Sequence, residues 1–140
     1  MPATDMRMEY TAGLGRKAEV WVNGRLLEVC DGVSGAEQRC RPGRLEAAKL
    51  AYMTEEAIPW PQAVRGNPSR RRQLEHVRGW SYVGFGRVLS VMPVVIDYGL
   101  VTMEDPNWTT DEGLVGSFVR VQIDRLELVP AHRPDYPAGG

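Results

Sequence analysis

The stretch from residue 79 to residue 104 constrains the fold most, because it holds the densest run of β-branched and aromatic residues in the chain. A single proline, Pro93, interrupts this stretch. We predict two strands, residues 80–91 and 94–103, that fold back on each other near Met92-Pro93. Because alternate side chains share a face, the predicted buried positions are Val83, Phe85, Leu89 and Val91 in the first strand and Val94, Ile96 and Tyr98 in the second.

Residues 17–31 carry the clearest local signal, a hairpin. Asn23-Gly24 separates two extended runs, and this dipeptide favours the positive φ angles of a type I′ turn. With these two residues as the loop, the predicted cross-strand pairs are Val22 with Arg25, Val20 with Leu27, and Ala18 with Val29. This face is apolar except at its tip, so we expect it to be buried.

The opposite face of the hairpin is unusual. It places Trp21 against Leu26 and Glu19 against Glu28. An exposed Trp-Leu pair is typical of a contact surface, although other segments of the same chain would also cover it. We therefore name Trp21 and Leu26 as candidate residues for binding a partner, and this face as a candidate for self-association.

Two segments between the hairpins are harder to assign. Residues 45–56 contain good helix formers, which favours a helix, yet Ala48, Leu50 and Tyr52 also alternate as in a strand. Residues 58–68 contain three prolines and are predicted to be irregular. Ser69 is predicted to cap a short helix that spans residues 70–77.

The two ends of the chain add one strand each. Residues 6–10 are predicted to form a short first strand. Residues 117–129 are predicted to form the last one. The apolar residues of this last strand change parity, so we expect a bulge near Asp124-Arg125.

A basic cluster is the strongest sign of a possible nucleic-acid ligand. Arginine binds phosphates and tryptophan stacks on bases, so a groove that joins them would suit a single strand. The candidate residues are Arg65, Arg70, Arg71, Arg72, Arg78 and Trp80. The alternative is a solvated helix face without a ligand.

Metal binding has little support in the sequence. Asp105, Asn107, Thr109 and Asp111 alternate as in the first half of a calcium loop, but the central glycine and the late glutamate of such loops are missing. We expect a solvated loop with Trp108 turned inward. Neither a metal ion nor a cofactor is expected. The two cysteines, Cys30 and Cys40, are interpreted as a reduced, structural pair.

Catalytic signatures are also missing from the sequence. It contains no Gly-x-Ser-x-Gly elbow, no phosphate-binding glycine loop and no His-Glu-x-x-His pattern. Asp97 is the one carboxylate in a very apolar strand. We predict that it is buried and forms an ion pair with Arg87 or Arg125, and a role as a functional acid is the alternative.

The order of the elements is a hairpin, an ambiguous segment, a helix, a second hairpin and a closing strand. Over most of residues 14–129 this order resembles the OB-fold, a small β-barrel with a helix between its third and fourth strands. The predicted fold is therefore a mainly β, single-domain antiparallel barrel with one or two short helices, and a β-sandwich is the alternative. Residues 1–13 are assigned to an N-terminal segment, and residues 130–140 to a disordered tail rich in proline and glycine.

The resemblance implies a binding surface for oligonucleotides, oligosaccharides or proteins, and no catalytic residues. A net charge of −1 gives no general attraction to nucleic acid, and no apolar run is long enough to span a membrane. We expect a cytoplasmic, non-catalytic binding or adaptor module with a protein partner. Nucleic-acid binding through the arginine cluster is the second hypothesis, and an enzyme of unrecognised type is the third.

Overall fold

A computed structural model describes residues 5–34, 43–44 and 48–131. The chain is mainly β. In chain order the strands are β1 (Met6–Thr11), β2 (Lys17–Val22), β3 (Arg25–Asp31), β4 (Gly43–Arg44), β5 (Ala48–Met53), β6 (Gln73–Arg78), β7 (Ser81–Ser90), β8 (Val94–Asp97), β9 (Thr102–Asp105), β10 (Phe118–Ile123) and β11 (Arg125–Pro130). One α-helix, α1 (Trp60–Arg65), and one 3₁₀ helix (Glu112–Leu114) complete the described elements.

The strands form two sheets. The six-stranded sheet has the order β4-β1-β2-β3-β11-β5, and the five-stranded sheet has the order β10-β7-β8-β9 with β6 also paired to β7. Among the described residues, the pairings do not close either sheet into a barrel. β3 and β11 run parallel, which departs from the predicted antiparallel arrangement at this pair.

The described residues belong to two compact units. One contains the chain up to Leu50 and from Glu127 onward, and the other is Ala51–Leu126, so β5 and β11 each pass from one unit to the other. No helix in the described ranges combines the length and the apolar character that a membrane crossing requires.

The core of the first unit forms as the turn signal predicts. Asn23 and Gly24 have φ values of 46° and 88°, and the register opposes Val20 to Leu27 and Ala18 to Val29. These four side chains are at most 1 % exposed. The predicted first strand is also confirmed, since β1 pairs with β2 and buries Met6 and Met8.

The central strand of the second unit confirms the predicted burial of Phe85, but most of its buried residues lie on the other face. Tyr82, Gly84, Gly86 and Val88 are buried in β7, whereas Leu89 is exposed. A Cβ atom at Gly84 would overlap the ring of Tyr98, and one at Gly86 would overlap Ile96 and the carbonyl of Asp97, so these glycines allow β7 to pack closely against β8 and Tyr98. Glycine carries no hydrophobic side chain, so apolar content alone did not indicate that this face of β7 is buried.

The predicted second strand, residues 94–103, is in fact two strands. β8 ends at Asp97 and β9 begins at Thr102, and the turn between them includes Gly99 at a φ of 83°. The face predicted for β8 is confirmed, since Val94, Ile96 and Tyr98 are at most 1 % exposed.

The structure decides one open assignment and corrects two predictions. Ala48–Met53 is a strand, Trp60–Arg65 is a helix, and Gln73–Arg78 is a strand. Burial explains the first, because Leu50 and Tyr52 alternate into the interior and outweigh helix propensity. Proline explains the second, because Pro61 lies in the first helical turn, where a missing N–H does no harm.

The last predicted strand breaks where its apolar residues change parity. β10 ends at Ile123 and β11 begins at Arg125, and they belong to different sheets. The position near Asp124-Arg125 was right, but the break is a change of sheet rather than a bulge. Val119, Ile123, Leu126 and Leu128 are all fully buried as a result.

Candidate functional site

Trp21 and Leu26 lie where the sequence predicted them. They are direct cross-strand partners in β2 and β3, Leu26 is 39 % exposed, and Trp21 is half-buried. Their neighbours Val20 and Leu27 turn to the interior. The Trp-Leu pair is therefore on the outer side of the hairpin, where solvent reaches it.

Charged and aromatic residues surround this pair. Arg7 of β1 is opposite Trp21, and Tyr10 is opposite Glu19. Glu19 is in turn opposite Glu28, whose carboxylate is 3.3 Å from the Lys17 Nζ, so a cation offsets part of the repulsion between the two glutamates. We call this surface the outer hairpin face; it consists of Arg7, Tyr10, Lys17, Glu19, Trp21, Leu26 and Glu28.

The arginine cluster does not lie on a helix. Arg65 is the last residue of α1, and Arg78 is the last residue of β6. Arg70, Arg71 and Arg72 are in the connection before β6, and Arg70 has a φ of 54°. All five arginines are exposed, and Trp80, in the turn between β6 and β7, is half-buried. The common helical face that the sequence analysis assumed is therefore absent.

Two of these arginines contact acidic or aromatic groups of the same chain. Arg71 lies 3.9 Å above the ring centroid of Phe85, and its guanidinium is 3.2 Å from Glu75. Arg72 is 2.9 Å from the carboxylate of Asp97. A phosphate that bound Arg71 or Arg72 would have to compete with these carboxylates.

The role of Asp97 differs from the prediction. It forms an ion pair with an arginine, as expected, but the partner is Arg72 rather than Arg87 or Arg125. Its side chain is 24 % exposed, so the pair is not buried. A partly solvated pair contributes about 0–1 kcal/mol, well below the value for a buried one.

A pocket in the second unit was not foreseen from the sequence. Its volume is about 350 Å³. The walls come from the loop after β5 (residues 54–58), from α1, from the end of β9 with the loop that follows, and from β10 with Asp124. We call it the acidic pocket, because its lining includes the carboxylates of Glu55, Glu56, Asp105 and Asp124 and one guanidinium, that of Arg120.

Hydrogen bonds fix one wall of the acidic pocket. Asp124 accepts from the backbone N–H of Glu55 at 2.6 Å and from Gln122 at 3.2 Å. Thr54 donates to the carbonyl of Gln122 at 2.8 Å. The loop after β5 is thereby attached to the end of β10.

Asp105 connects this pocket to the interior. Its Oδ2 accepts a hydrogen bond from the hydroxyl of Tyr52, which lies 2.6 Å from the hydroxyl of Tyr98, and its Oδ1 accepts from the N–H of Asn107 at 2.8 Å. Asp105 is 7 % exposed, and both tyrosines are buried. One carboxylate thus forms part of the pocket wall and also ends a chain of two phenols.

Burial shifts the pKa values of Asp105, Tyr52 and Tyr98. Desolvation raises the pKa of Asp105, and the hydrogen bonds from Tyr52 and Asn107 offset this only in part. Desolvation, with the neighbouring acidic groups, also raises the pKa values of Tyr52 and Tyr98, so both phenols stay neutral. The arrangement can hold a proton on Asp105 or, when Asp105 is ionised, attract a cation.

Sequence reasoning missed Tyr52, Tyr98 and Trp60 as residues of this site. Tyr52 and Asp105 are 53 positions apart, and no spacing rule connects them. The only local signal was the apolar segment that ends at Asp105. That aspartate had been considered only as a member of a calcium loop.

The calcium hypothesis finds no support in the described part of the chain. Within it, no group of three or more His, Cys, Asp or Glu side chains is placed to hold a metal ion. Asp105 is buried against Tyr52, and Asp111 accepts from the N–H of Gly113 at the start of the 3₁₀ helix. Trp108 is 69 % exposed, so the prediction that it turns inward was wrong.

Of the two cysteines, only Cys30 lies within the described residues. Cys30 is buried in β3 and not in a loop. Cys40 lies outside the described residues, and the pairing of the two cysteines stays a prediction.

Comparison with known proteins gives no relative. No protein-family model matches the chain, no curated protein matches it, and no solved structure matches it. Any assignment of function therefore depends on the geometry of the chain itself.

Proposed function

We propose that this chain is a non-catalytic binding module that contacts a protein partner through the outer hairpin face. The observation that carries the proposal is the cross-strand pair of Trp21 and Leu26, which is exposed in part on a hairpin whose other side buries Val20, Leu27 and Val29. A predicted cytoplasmic location belongs to the same proposal.

The composition of this face supports a protein ligand. Tryptophan, tyrosine and arginine are the residues that most often dominate protein interfaces, and Trp21, Tyr10 and Arg7 are neighbours here. Glu19, Glu28 and Lys17 supply the polar surround that such an apolar centre has in known interfaces. Arg7 beside Trp21 and the ion pair of Lys17 with Glu28 also give the face charges of both signs that a partner can match.

Site-specific photo-crosslinking tests this proposal. A photoreactive amino acid at position 26 should give an adduct with one partner, or with a second copy of the chain. The same amino acid at Leu14, which is 62 % exposed in the loop after β1, is the matched control and should give none. Mass spectrometry of the adduct identifies the partner.

Trp21→Ala completes the test. It should abolish the adduct at position 26 and lower stability only by the loss of one cross-strand pair, about 1 kcal/mol or less, because the core side chains of the hairpin are untouched. Equal labelling at positions 14 and 26, or labelling that survives Trp21→Ala, would contradict the proposal.

Nucleic-acid binding remains the second candidate. Arg65, Arg70 and Arg78 are exposed, which favours it, whereas the contacts of Arg71 and Arg72 with acids weigh against it. A gel-shift series on single-stranded DNA and RNA at increasing salt tests it, because each phosphate contact steepens the dependence on salt. Failure to detect a complex at low salt would remove this candidate.

An OB-like barrel and an enzyme of unrecognised type are the remaining expectations. The proposal does not depend on either. A barrel would add a second surface for ligands. An enzyme would need a group that reacts, and the ion pair of Asp97 with Arg72 occupies the carboxylate first considered for that role.

A further inference from the structure

The outer side of the five-stranded sheet carries two arginines that lie far apart in the sequence. Arg87 of β7 and Arg120 of β10 are both exposed. The register places Arg120 opposite Phe85 and Phe118 opposite Arg87. Because direct partners on antiparallel strands share a face, the four side chains lie on one face, and the two arginines are diagonal neighbours, typically about 7–8 Å apart. Both guanidinium groups can therefore reach the same ligand.

The loop before β6 brings two more arginines to this face. The guanidinium of Arg71 lies 3.9 Å from the ring centroid of Phe85, the residue opposite Arg120. Arg72 is 2.9 Å from the carboxylate of Asp97, the residue opposite Arg87 on β8. We call this surface the basic sheet face; it consists of Arg71, Arg72, Phe85, Arg87, Phe118 and Arg120.

A buried amide holds the loop in place. The side chain of Asn67 is 3 % exposed, donates to the carbonyls of Arg71 and Val119 at 2.9 and 3.1 Å, and accepts from the N–H of Arg71 at 2.9 Å. Gly66 packs against the stem of Arg120, where a Cβ atom would lie 2.9 Å from the Cβ of the arginine. The backbone of Arg71 and the stem of Arg120 are thus fixed before a ligand binds, which lowers the entropy cost of binding.

The charges of this face favour an anion. Within the described part of the chain, Arg87 and Arg120 form no ion pair. The ion pairs of Arg71 and Arg72 are partly solvated, and such pairs contribute little to stability. A phosphate can therefore replace those carboxylates, and it meets no competing ion pair at the other two arginines.

The spread of the arginines and the aromatic ring between them favour a single-stranded nucleic acid. Arg120, Arg87 and Arg71 lie on β10, on β7 and in the loop before β6, so successive phosphates of one strand can contact them in turn. Phe118 is half-buried beside Arg87, and its accessible part offers a surface on which a base can stack. Other proteins that bind single strands use a sheet face in this way.

We propose that the basic sheet face binds single-stranded nucleic acid, with Arg87 and Arg120 on phosphates and Phe118 against a base. The proposal rests on the second candidate function for its class of ligand and deepens it, because it assigns phosphate binding to Arg87 and Arg120, which that candidate did not include. It is independent of the outer hairpin face.

Fluorescence anisotropy on the full chain tests the proposal. The probes are labelled oligothymidine and oligouridine of about 12 nucleotides, at salt concentrations from about 50 mM upward. Arg87→Gln and Arg120→Gln should each weaken binding of at least one probe by about threefold or more, and each should make the slope against log salt shallower by about 0.7. Arg16→Gln, which removes an exposed arginine of the first unit, is the matched control and should change binding by less than about twofold.

Two further measurements make the test specific. Unlabelled polyglutamate of equal net charge should not displace the oligonucleotide, and equal competition would mean that the face selects acidic protein rather than nucleic acid. Arg78→Gln tests the other end of β7, because Arg78 pairs with Ser81 there. It should weaken binding less than Arg87→Gln or Arg120→Gln does.

The outcomes separate this inference from the second candidate function. No complex with either probe at about 50 mM salt would remove both. A complex that Arg78→Gln weakens, but that Arg87→Gln and Arg120→Gln leave unchanged, would overturn the inference and keep the second candidate. Thermal melts check the folding of each variant, and if one of the two variants on the basic sheet face does not fold, the other decides.

Discussion

Asp31 in the first unit and Asp105 in the second have closely similar surroundings and opposite ionisation. Each is the last residue of a strand, and each is at least nine-tenths buried. Each accepts a hydrogen bond from a hydroxyl group at Oδ2 and one from the backbone N–H two residues further on at Oδ1. Yet the pKa of Asp31 is lowered, and that of Asp105 is raised.

The larger number of donors around Asp31 contributes to this difference. Burial raises the pKa of both groups. For Asp31 the hydroxyl groups of Ser34 and Thr11 and the N–H groups of Ser34 and Val33 together outweigh it. Asp105 receives only the Tyr52 hydroxyl and one N–H, so desolvation prevails.

The comparison separates a carboxylate that its own loop satisfies from one that lies in a pocket wall. Asp31 accepts hydrogen bonds from the loop that follows it, and its carbonyl and N–H also bind Gly15 and Arg16 at 2.7 and 2.9 Å. Asp105 lines the acidic pocket and accepts two hydrogen bonds, against four at Asp31.

The largest expected effect is that of Asp31→Ala. It leaves the N–H groups of Val33 and Ser34 and the hydroxyl of Thr11 without their acceptor, so we expect a loss of about 3 kcal/mol in the free energy of unfolding. Denaturant melts measure it. Asp5→Ala, an exposed aspartate of the same unit, is the control and should change stability by less than about 0.5 kcal/mol. A loss below about 1 kcal/mol for Asp31→Ala would mean that this network is not structural.

Gly84→Ala tests the packing behind Asp105. The added methyl group would overlap the ring of Tyr98, so we expect a loss of about 2 kcal/mol from overpacking. Gly24→Ala is a contrasting control, because its Cβ meets no atom within 4 Å and only its φ of 88° is strained. That variant should lose about 1 kcal/mol. If Gly84→Ala proves the milder of the two, the Tyr98 ring does not depend on this glycine.

The sequence predicted those parts of the fold that depend on neighbouring residues. Asn23-Gly24 defines its turn locally, and the register of β2 with β3 follows from it. The change of parity near Asp124 likewise located the boundary between β10 and β11. These signals are contained within a few residues and need no knowledge of the rest of the chain.

The remaining elements depend on contacts between distant residues. The burial of Gly84 in β7 depends on the Tyr98 ring that fills the space over it, and Ala48–Met53 becomes a strand through the burial of Leu50 and Tyr52. The acidic pocket gathers residues from four separate segments. The outer hairpin face was the one candidate surface within reach of sequence reasoning, because Trp21 and Leu26 belong to the same hairpin.

Tyr52→Phe should reduce stability by less than the two variants above. It tests whether the Tyr52 hydrogen bond influences the pKa of Asp105. It removes a donor from Asp105 and a partner from the Tyr98 hydroxyl, and we expect a loss of about 1–2 kcal/mol. Because the Tyr52 hydrogen bond lowers the pKa of Asp105, its removal should raise that pKa further. Carboxyl ¹³C titration by NMR measures the pKa, and Tyr10→Phe, at an exposed tyrosine, is the control. An unchanged titration of Asp105 would show that Tyr52 does not act on it.

The smallest effect is a dependence of stability on pH, with opposite sign for the two aspartates. The folded state raises the pKa of Asp105, so it favours the protonated form, and the stability this contributes is lost as pH rises through the raised pKa. The folded state lowers the pKa of Asp31, so its contribution is present above the ordinary pKa and is lost as pH falls through the lowered one.

Asp105→Asn and Asp31→Asn separate these contributions, because all other titrating groups cancel in the difference from the wild type. As pH rises from about 3 to about 7, Asp105→Asn should gain stability relative to the wild type, and Asp31→Asn should lose it. Chemical melts at a series of pH values give both differences. A flat difference for Asp105→Asn would mean that Asp105 titrates as it does in the unfolded chain. A slope of the same sign for both variants would mean that the number of donors does not decide the ionisation of these two aspartates.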